Sequence, residues 1–463
     1  MLRLREIGQE FWPMLRLAAP LALTELGWLS MGFVDTVMVG RLPDSATAIG
    51  AVSLGTTLFY TIGLFGSGIM LGLDTLVAQA YGAGKLDECH RMLWSGIYLA
   101  LILSPAVMLA VLACVPFFPR FGLSPALVSE TIPFLKALIW STLPLSLYFV
   151  LRRYMQAIGL VKPVVLTLIS ANLVNLAGNW SLVYGHWGLP ALGVAGSGWS
   201  TCVSRVYMVT ALAAAAVYYN GKRSSGLWLR SREFDWARIR QLLRLGLPAA
   251  SQLLAEIGAF TLATFLIGQL GAVVLAGHQI ALNVASITYM VPLGIGSAAA
   301  VRVGHAVGAG DIPAAARAGW MALLLGSGFM SCAGVTLFFF AHPIARIYSP
   351  QAAVVASGAT LLLVAAVFQL FDGLQVVATG ALRGAGNTHI PMLANLIGYW
   401  LIGLPLGALL CFKLNYGAIG MWAGLCLALI LIGSVLVAVW RHLIGSLTPP
   451  DDVSRELHLS TSK

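Results

Sequence analysis

The stretch RLAAPLALTELGWLSMGFVDTVMVGRL, residues 16–42, is a long apolar segment that contains two acidic residues, Glu25 and Asp35. A membrane-spanning helix needs about 20 predominantly apolar residues, and this segment exceeds that length. It is too long for the apolar region of a signal peptide, and it lacks a small-residue cleavage site. The stretch therefore predicts a retained transmembrane helix and raises the question of what a carboxylate such as Asp35 does there.

The composition of the whole chain agrees with a membrane protein. The chain has 463 residues, of which 59% are hydrophobic and 10% are charged. A soluble domain carries about 25% charged residues. The six cysteines are scattered singly along the sequence, so we expect buried apolar thiols without disulfides or a zinc site, and no cofactor.

The same length criterion predicts further spans along the chain. With the first segment they make twelve: 14–39, 47–72, 93–118, 132–155, 163–185, 190–218, 244–270, 273–302, 317–341, 353–380, 389–412 and 417–441. The longest polar interruption divides them six and six. We therefore predict an all-α integral membrane fold of two six-helix bundles, with an N-terminal lobe at 1–219, an inter-lobe loop at 220–243, a C-terminal lobe at 244–442 and a tail at 443–463.

The distribution of basic residues predicts the orientation. Most of the 27 lysines and arginines fall in cytoplasmic segments if the N-terminus is cytoplasmic. The exceptions are Arg205, which lies within a span, and five residues on the opposite side: Arg41, Arg120, Lys136, Arg346 and Lys413. Cytoplasmic loops of membrane proteins carry an excess of basic residues, so we predict that both termini are cytoplasmic. The basic excess favours contact with anionic lipid headgroups over binding of nucleic acid.

The opening stretch recurs in the second half of the chain. Residues 16–42 align without gaps on RLGLPAASQLLAEIGAFTLATFLIGQL, residues 244–270, which pairs Pro20 with Pro248. Three more segment pairs follow in the same order: AYGAGKLDECHR (80–91) with AVGAGDIPAAAR (306–317), AIGLVKP (157–163) with LRGAGNT (382–388), and GVAG (193–196) with GAIG (417–420). Each repeat has an even number of helices, so both cross the bilayer in the same direction. Parallel repeats of this kind are typical of transporters that work by alternating access.

Three acidic residues lie well inside predicted spans: Asp35, Glu256 and Asp372. A charge at the centre of a membrane helix costs about 2.5–3.5 kcal/mol on insertion scales, and such residues normally face a bundle interior or a watery cavity. The repeat aligns Asp35 with Ala263 and Glu256 with Trp28, so neither acid recurs in the other lobe. This asymmetry favours separate tasks in binding a proton or a cation over a shared structural role.

Asp372 is likewise unmatched, because it aligns with Leu147. Helix–helix hydrogen bonding is the alternative for all three acids. Glu25 and Asp74 lie nearer the ends of their spans, and for them the sequence leaves a structural and a functional role equally open.

Asn172, Asn175 and Asn179 lie three, four and seven residues apart on the fifth span and therefore share one helical face. An amide can coordinate a cation through its carbonyl oxygen, or it can hold two helices together. Both roles stay open for Asn175 and Asn179, and we favour helix bonding for Asn172. The candidate lining of a C-lobe substrate cavity is Tyr289, Phe368 and Gln279, since aromatic faces attract cations.

The sequence lacks the signatures of common enzymes. It contains no H-E-x-x-H, G-x-S-x-G or Walker A motif. We therefore do not expect an enzyme, and transport would be driven by an ion gradient or by the gradient of the substrate itself.

Four motifs carry a family resemblance: MGFVDTVMVGRL (31–42), AQAYGAGK (78–85), PAASQLLAE (248–256) and ALRGAGNT (381–388). With them, the chain resembles the multidrug and toxic compound extrusion (MATE) family, in its NorM-like branch, over about residues 10–442. The resemblance implies two six-helix bundles that form a V in the bacterial inner membrane. It also implies export of bulky organic cations, such as drugs and dyes, in exchange for H⁺ or Na⁺. We expect a monomer.

The resemblance also implies roles for individual residues. Asp35 matches the N-lobe acid linked to coupling, and Asn175 and Asn179 accompany it. The C-lobe cation site, a candidate for Na⁺, would be formed by Glu256, Asp372 and Tyr289. The resemblance implies two departures: some relatives carry an aspartate near the position of Asn179, and some have a tyrosine where this chain has Phe368.

Two other functions fit a two-lobe membrane protein. A flippase for a lipid-linked saccharide should carry several cavity arginines or lysines to hold pyrophosphate, whereas here Arg205 alone lies clearly within a span. A channel or a membrane enzyme is the other alternative. The sequence does not choose between H⁺ and Na⁺ as the coupling ion, because carboxylates and amides bind both.

Overall fold

A computed structural model describes residues 9–121, 124–223 and 233–447, and these residues are almost entirely helical. The helices are α1 (Phe11–Val39), α2 (Ser45–Ile69), α3 (Gly72–Gly82), α4 (Leu86–Cys114), α5 (Pro125–Ile139), α6 (Thr142–Ala157), α7 (Lys162–Tyr184), α8 (Val194–Arg223), α9 (Trp236–Gly268), α10 (Ala272–Gly308), α11 (Ile312–Tyr348), α12 (Ala352–Gly384), α13 (His389–Asn395), α14 (Leu404–Ala408) and α15 (Gly417–Leu447). Residues 224–232 of the predicted inter-lobe loop and most of the predicted tail, at 448–463, lie outside the described residues.

Within these ranges, eleven segments are long and apolar enough to cross a membrane. The number becomes twelve when α5 and α6 are counted as one bent span. The prediction of an all-α integral membrane fold is thereby confirmed.

The predicted fourth span, 132–155, is broken in the structure. Helices α5 and α6 meet at an angle of 47° across a short break at residues 140–141. At this break, Ser141 Oγ donates to the carbonyl oxygen of Leu138 at 2.5 Å, and Thr142 Oγ1 donates to that of Ile139 at 2.6 Å. Hydroxyl groups that bond back to the preceding turn bend helices in this way, and the carbonyl oxygen of Leu138 also accepts a bond from the backbone N–H of Ser141 at 3.0 Å.

The predicted eleventh span, 389–412, is also irregular. Two π-helical segments, Leu396–Gly403 and Leu409–Lys413, flank the short helix α14. Pro405 has no N–H group and its ring crowds the carbonyl of the preceding turn, so one helical hydrogen bond is missing there. Single π-turns inside helices are rare overall but are frequent near functional sites.

Helix α9 begins at Trp236, before the predicted start of its span at 244. Two of the eight added residues, Arg238 and Arg240, are charged, which excluded them from an apolar window. In the structure Arg238 forms a bidentate ion pair with Glu88, with Nε 2.8 Å from Oε1 and Nη2 3.1 Å from Oε2. Arg238 also pairs with Asp235. Asp235 accepts a hydrogen bond from the backbone N–H of Ala237, which stabilises the N-terminus of the helix.

By internal contacts the chain forms two compact units. The first unit is Ala19–Gly258, and the second comprises Met1–Ala18 and Ala259–Lys463. In the first unit α8 is central, because it packs against α5, α6 and α7. Large buried side chains such as Phe59, Phe134 and Tyr148 fill its core.

In the second unit α12 is the central helix and packs against α10, α11 and α15. Its closest approach is to α10, where Gly380 faces Gly296. A Cβ atom on Gly380 would lie 2.1 Å from the carbonyl oxygen of Gly296, so only glycine fits there. Small residues at such crossings let membrane helices pack backbone to backbone.

Candidate functional site

Asp35 lies at the centre of a polar site in the first unit. Its side chain projects from α1 and is buried among α7 and α8. Oδ1 accepts hydrogen bonds from Nδ2 of Asn175 at 3.1 Å and of Asn179 at 2.7 Å. Oδ2 accepts a hydrogen bond from Thr201 Oγ1 at 3.0 Å. An ionised carboxylate is an acceptor only, and three donors converging on it match that form.

Helical geometry explains why α7 supplies two of these donors. Asn175 and Asn179 are one turn apart and so lie on the same face. Asn179 Nδ2 also donates to the carbonyl oxygen of Asn175 at 2.9 Å, which orients its side chain. The same carbonyl accepts a bond from Ser200 Oγ of α8 at 2.8 Å. A Cβ atom on Gly178 would lie 2.6 Å from Ser200 Oγ, so glycine permits this close contact between α7 and α8.

The two asparagines leave acceptor atoms unused. The Oδ1 atoms of Asn175 and Asn179 are buried and have no hydrogen-bond partner among the described residues. An unsatisfied buried oxygen costs about 1–3 kcal/mol and calls for an explanation such as an ion. Carboxylate, amide and hydroxyl oxygens are the ligands of hard cations. The arrangement can therefore bind a proton at the carboxylate or a cation among these oxygens.

Asn172, one turn earlier on α7, does not take part in this site. Its Oδ1 accepts from Ser30 Oγ at 2.9 Å, and its Nδ2 donates to the carbonyl oxygen of Gly27 at 3.0 Å. Both partners belong to α1. Asn172 thus has the helix-bonding role favoured for it from the sequence.

Arg205 follows Thr201 by one turn of α8 and is almost completely buried. Its Nη1 donates to Ser141 Oγ at 2.5 Å, and its Nη2 donates to Tyr60 Oη at 3.0 Å. The guanidinium carbon lies 4.9 Å from the ring centre of Phe59 and 5.7 Å from that of Tyr60. In the part of the chain that the structure describes, Arg205 forms no ion pair with a carboxylate.

Glu25 and Asp74, whose roles the sequence left open, have basic partners in the first unit. Glu25 pairs with Arg152, and Asp74 Oδ2 lies 3.2 Å from Nη1 of Arg153. Consecutive arginines on α6 thus neutralise acids from two other helices. From the sequence both arginines belonged to a cytoplasmic segment, whereas the structure buries Arg152 against Glu25. These two pairs account for the buried acids without an ion.

The predicted C-lobe residues are distributed over both units. Glu256 lies on α9 in the first unit, and Asp372 lies on α12 in the second; both are buried. Tyr289 and Gln279 lie on α10 and are half-buried. Phe368 is only 2% exposed and stacks on Trp422, with ring centres 5.7 Å apart. The roles of these residues in cation binding and in a substrate cavity stay predictions.

Trp422 belongs to a buried network that the sequence did not reveal. Its Nε1 donates to Nδ1 of His278 at 2.9 Å, and Nε2 of His278 lies 2.7 Å from Thr264 Oγ1. Because an indole N–H is a donor only, Nδ1 of His278 must be unprotonated. The imidazole is therefore neutral with its proton on Nε2, which donates to Thr264. A single histidine inside an apolar span gives no sequence signal for such a pairing.

Sequence reasoning also missed Thr201. Hydroxyl residues are common in membrane helices, and nothing in the local pattern separates Thr201 from the others. One signal was available: Arg205 is the basic residue within a span, and Thr201 precedes it by one turn.

Comparison with known proteins supports the architecture. The MatE family model matches the chain twice, at residues 20–181 and 248–409. The matches begin at Pro20 and Pro248, the same pair that the ungapped alignment of the two halves brings together. The internal repeat is therefore confirmed.

Individual relatives extend over nearly the full chain. A protein of Mesorhizobium japonicum named "Probable multidrug resistance protein NorM" is 36% identical over 439 residues, which cover 93% of this chain and 94% of the relative. The "Multidrug resistance protein NorM" of Burkholderia vietnamiensis is 38% identical over 434 residues, covering 92% of each chain.

Solved structures share the fold. The crystal structure described as "eukaryotic MATE transporter AtDTX14" superposes with a TM-score of 0.85 at 21% identity and covers 96% of this chain and 99% of that one. Two matches to one family model, together with relatives above 30% identity along most of the sequence, decide the assignment. This chain belongs to the MatE family of membrane transporters, in its NorM-like branch.

Proposed function

We propose that the protein is a multidrug efflux transporter that exports organic cations in exchange for H⁺ or Na⁺. The observation that carries the proposal is the Asp35 site: one buried carboxylate with three hydrogen-bond donors and two unpartnered amide oxygens beside it. The names of the NorM relatives support efflux of several drugs. The alternatives that the sequence left open, a channel or a lipid-linked saccharide flippase, have no comparable support.

The Asp35 site offers a different response to each coupling ion. A proton on Asp35 turns one carboxylate oxygen into a donor; on Oδ2 it reverses the bond with Thr201, whose hydroxyl oxygen then accepts. A sodium ion would instead draw on the carboxylate, the amide oxygens and the hydroxyl oxygen. Either event changes the bonds that join α1 to α7 and α8.

Coupling requires that the ion bind one conformation more tightly than the other. Breaking or making bonds between α1 and its neighbours supplies such a difference, because these bonds depend on how the helices are placed. Glu256 and Asp372 would serve the cationic substrate or a second ion, since buried carboxylates favour positive ligands. Because both ligands are cations that favour buried carboxylates, binding of one disfavours binding of the other.

We place the protein in the bacterial inner membrane with cytoplasmic termini, as the bias of basic residues favours. Arg205 does not support a flippase, because its guanidinium is enclosed by Phe59, Tyr60 and Ser141 in place of a phosphate.

The test is efflux of a fluorescent organic cation from proteoliposomes with imposed H⁺ or Na⁺ gradients. Asp35→Asn should abolish the gradient-driven component of efflux. Glu130→Gln, an exposed acid on α5, is the matched control and should leave efflux unchanged. Gradient-driven efflux at the wild-type rate by the folded Asp35→Asn variant would refute the role of Asp35, and ion flux without counter-transport would indicate a channel.

A further inference from the structure

Among the buried arginines that the structure describes in the first unit, Arg205 is not in contact with a carboxylate. Arg152 pairs with Glu25 and Arg153 pairs with Asp74, whereas Arg205 has only neutral partners among the described residues. A buried charge without a partner is costly. Its neutral partners and aromatic neighbours reduce that cost, but they do not balance the charge.

Asp35 is the buried acid whose hydrogen-bond donor Thr201 lies on the same helix as Arg205. Thr201 donates to Asp35 Oδ2, and Arg205 follows Thr201 by one turn on the same helix. Side chains four residues apart on a helix are neighbours, so Arg205 projects from the same face of α8 as Thr201. Two buried charges on neighbouring turns are only weakly screened by solvent, so a positive charge at Arg205 favours the ionised form of Asp35.

We propose that Arg205 is the fixed counter-charge of the Asp35 ion site and sets how readily that site releases its cation. With Asp35 ionised and no ion bound, the two buried charges cancel. When H⁺ or Na⁺ binds at Asp35, the site carries a net positive charge in surroundings of low dielectric constant. Arg205 therefore weakens cation binding. Release of the cation into the cell then does not trap the transporter in its ion-bound form.

This role is distinct from structural support. Arg205 also donates to Ser141, which lies at the break between α5 and α6, so its removal could alter packing there. A purely structural role predicts a loss of stability with an unchanged ion affinity. A counter-charge role predicts a change of ion affinity that depends on charge and is preserved by lysine.

The measurement is equilibrium ion binding by the purified full-length protein, apart from transport. Proton binding is followed by the infrared carbonyl band of protonated Asp35, which is assigned by its loss in Asp35→Asn. Sodium binding is followed with ²²Na⁺. In Arg205→Met the ion concentration for half-saturation should fall about tenfold, the lower end of the effect of a neighbouring opposite charge. Arg205→Lys should stay within about twofold of the wild type.

A second variant tests the proposal without removing Arg205. Ser141→Asp places a carboxylate next to the guanidinium and neutralises it, so it should also tighten cation binding at Asp35. Unchanged half-saturation in folded Arg205→Met would overturn the proposal. If Arg205→Met does not fold, an unchanged half-saturating ion concentration in Ser141→Asp would overturn it instead. An equal shift of that concentration in Arg205→Lys and Arg205→Met would also overturn it.

The transport consequence rests on the proposed function, but the binding result does not. If Asp35→Asn retains gradient-driven efflux while Arg205→Met still shifts ion binding, the proposed function fails and the counter-charge stands. If Asp35→Asn abolishes gradient-driven efflux and Arg205→Met leaves ion binding unchanged, the proposed function stands and the counter-charge role of Arg205 fails.

Discussion

Asn179 donates the shortest of the three hydrogen bonds that Asp35 receives, with 2.7 Å between Nδ2 and Oδ1. The same nitrogen donates its second hydrogen to the carbonyl oxygen of Asn175. Both amide hydrogens of Asn179 are thus used, while its Oδ1 is buried without a partner. This side chain holds α7 to α1 through an ionised Asp35 and keeps one oxygen available for a cation.

Asn179→Asp should strengthen cation binding. The substitution puts a second carboxylate beside Asp35, and two like charges at that distance favour uptake of a positive ion. We expect the half-saturating concentration of H⁺ or Na⁺ to fall at least about tenfold. Equilibrium ion binding measures it. Asn172→Asp is the control, since Asn172 bonds to Ser30 and Gly27, and equal shifts in both variants would contradict the assignment.

Thr201→Val should reveal which ion the site takes. The variant removes the donor to Asp35 Oδ2, and a hydrogen bond to a charged group contributes about 1.5–3 kcal/mol. The ionised carboxylate loses stability, so a proton should bind at a concentration about ten- to a hundredfold lower. Sodium would lose an oxygen ligand and should bind more weakly. Thr201→Ser should resemble the wild type, and a Thr201→Val variant without any shift would remove Thr201 from the site.

Arg152→Met should destabilise the first unit. The substitution leaves Glu25 buried without its partner, and breaking a buried ion pair costs about 3–5 kcal/mol. The thermal unfolding midpoint in detergent should drop accordingly. The double variant with Glu25→Gln removes both charges and should recover much of the loss. If the double variant is as unstable as the single one, packing of the Arg152 side chain accounts for its effect and the ion pair does not.

Gly380→Ala should disrupt the centre of the second unit. The added Cβ atom would approach the carbonyl oxygen of Gly296 to 2.1 Å, so α12 and α10 would have to separate. Overpacking of this kind typically costs about 1–3 kcal/mol. We expect a lower yield of monodisperse protein and a lower unfolding midpoint. Gly328→Ala on α11 has open space around the new methyl group and should behave as the wild type.

Much of the fold could be predicted because its signals are local. Length and apolarity identify each span, and the pairing of Pro20 with Pro248 identified the repeat that both MatE matches confirm. The fourth span was the main departure, since its break depends on hydroxyl bonds at Ser141 and Thr142 that composition does not show.

For the candidate site, the sequence singled out Asp35 by its cost in a membrane and Asn175 with Asn179 by their shared helical face. It could not name Thr201, because a hydroxyl inside an apolar helix has no periodic signature. Glu25 looked much like Asp35 in the sequence. The structure separates them: Glu25 meets Arg152, whereas Asp35 meets only neutral donors.

The sequence by itself determined that this chain is a two-repeat helical membrane protein of the MatE family with acids at membrane depth, because hydropathy and repetition are properties of the chain in order. Only the tertiary structure decided which polar groups face one another. The partners in these contacts lie on different helices and far apart along the chain: Asp35 with Asn179 and Thr201, Arg205 with Tyr60, and His278 with Trp422. Their pairing follows from how the helices pack, and in an apolar interior each buried polar group must find such a partner or leave an acceptor ready for an ion.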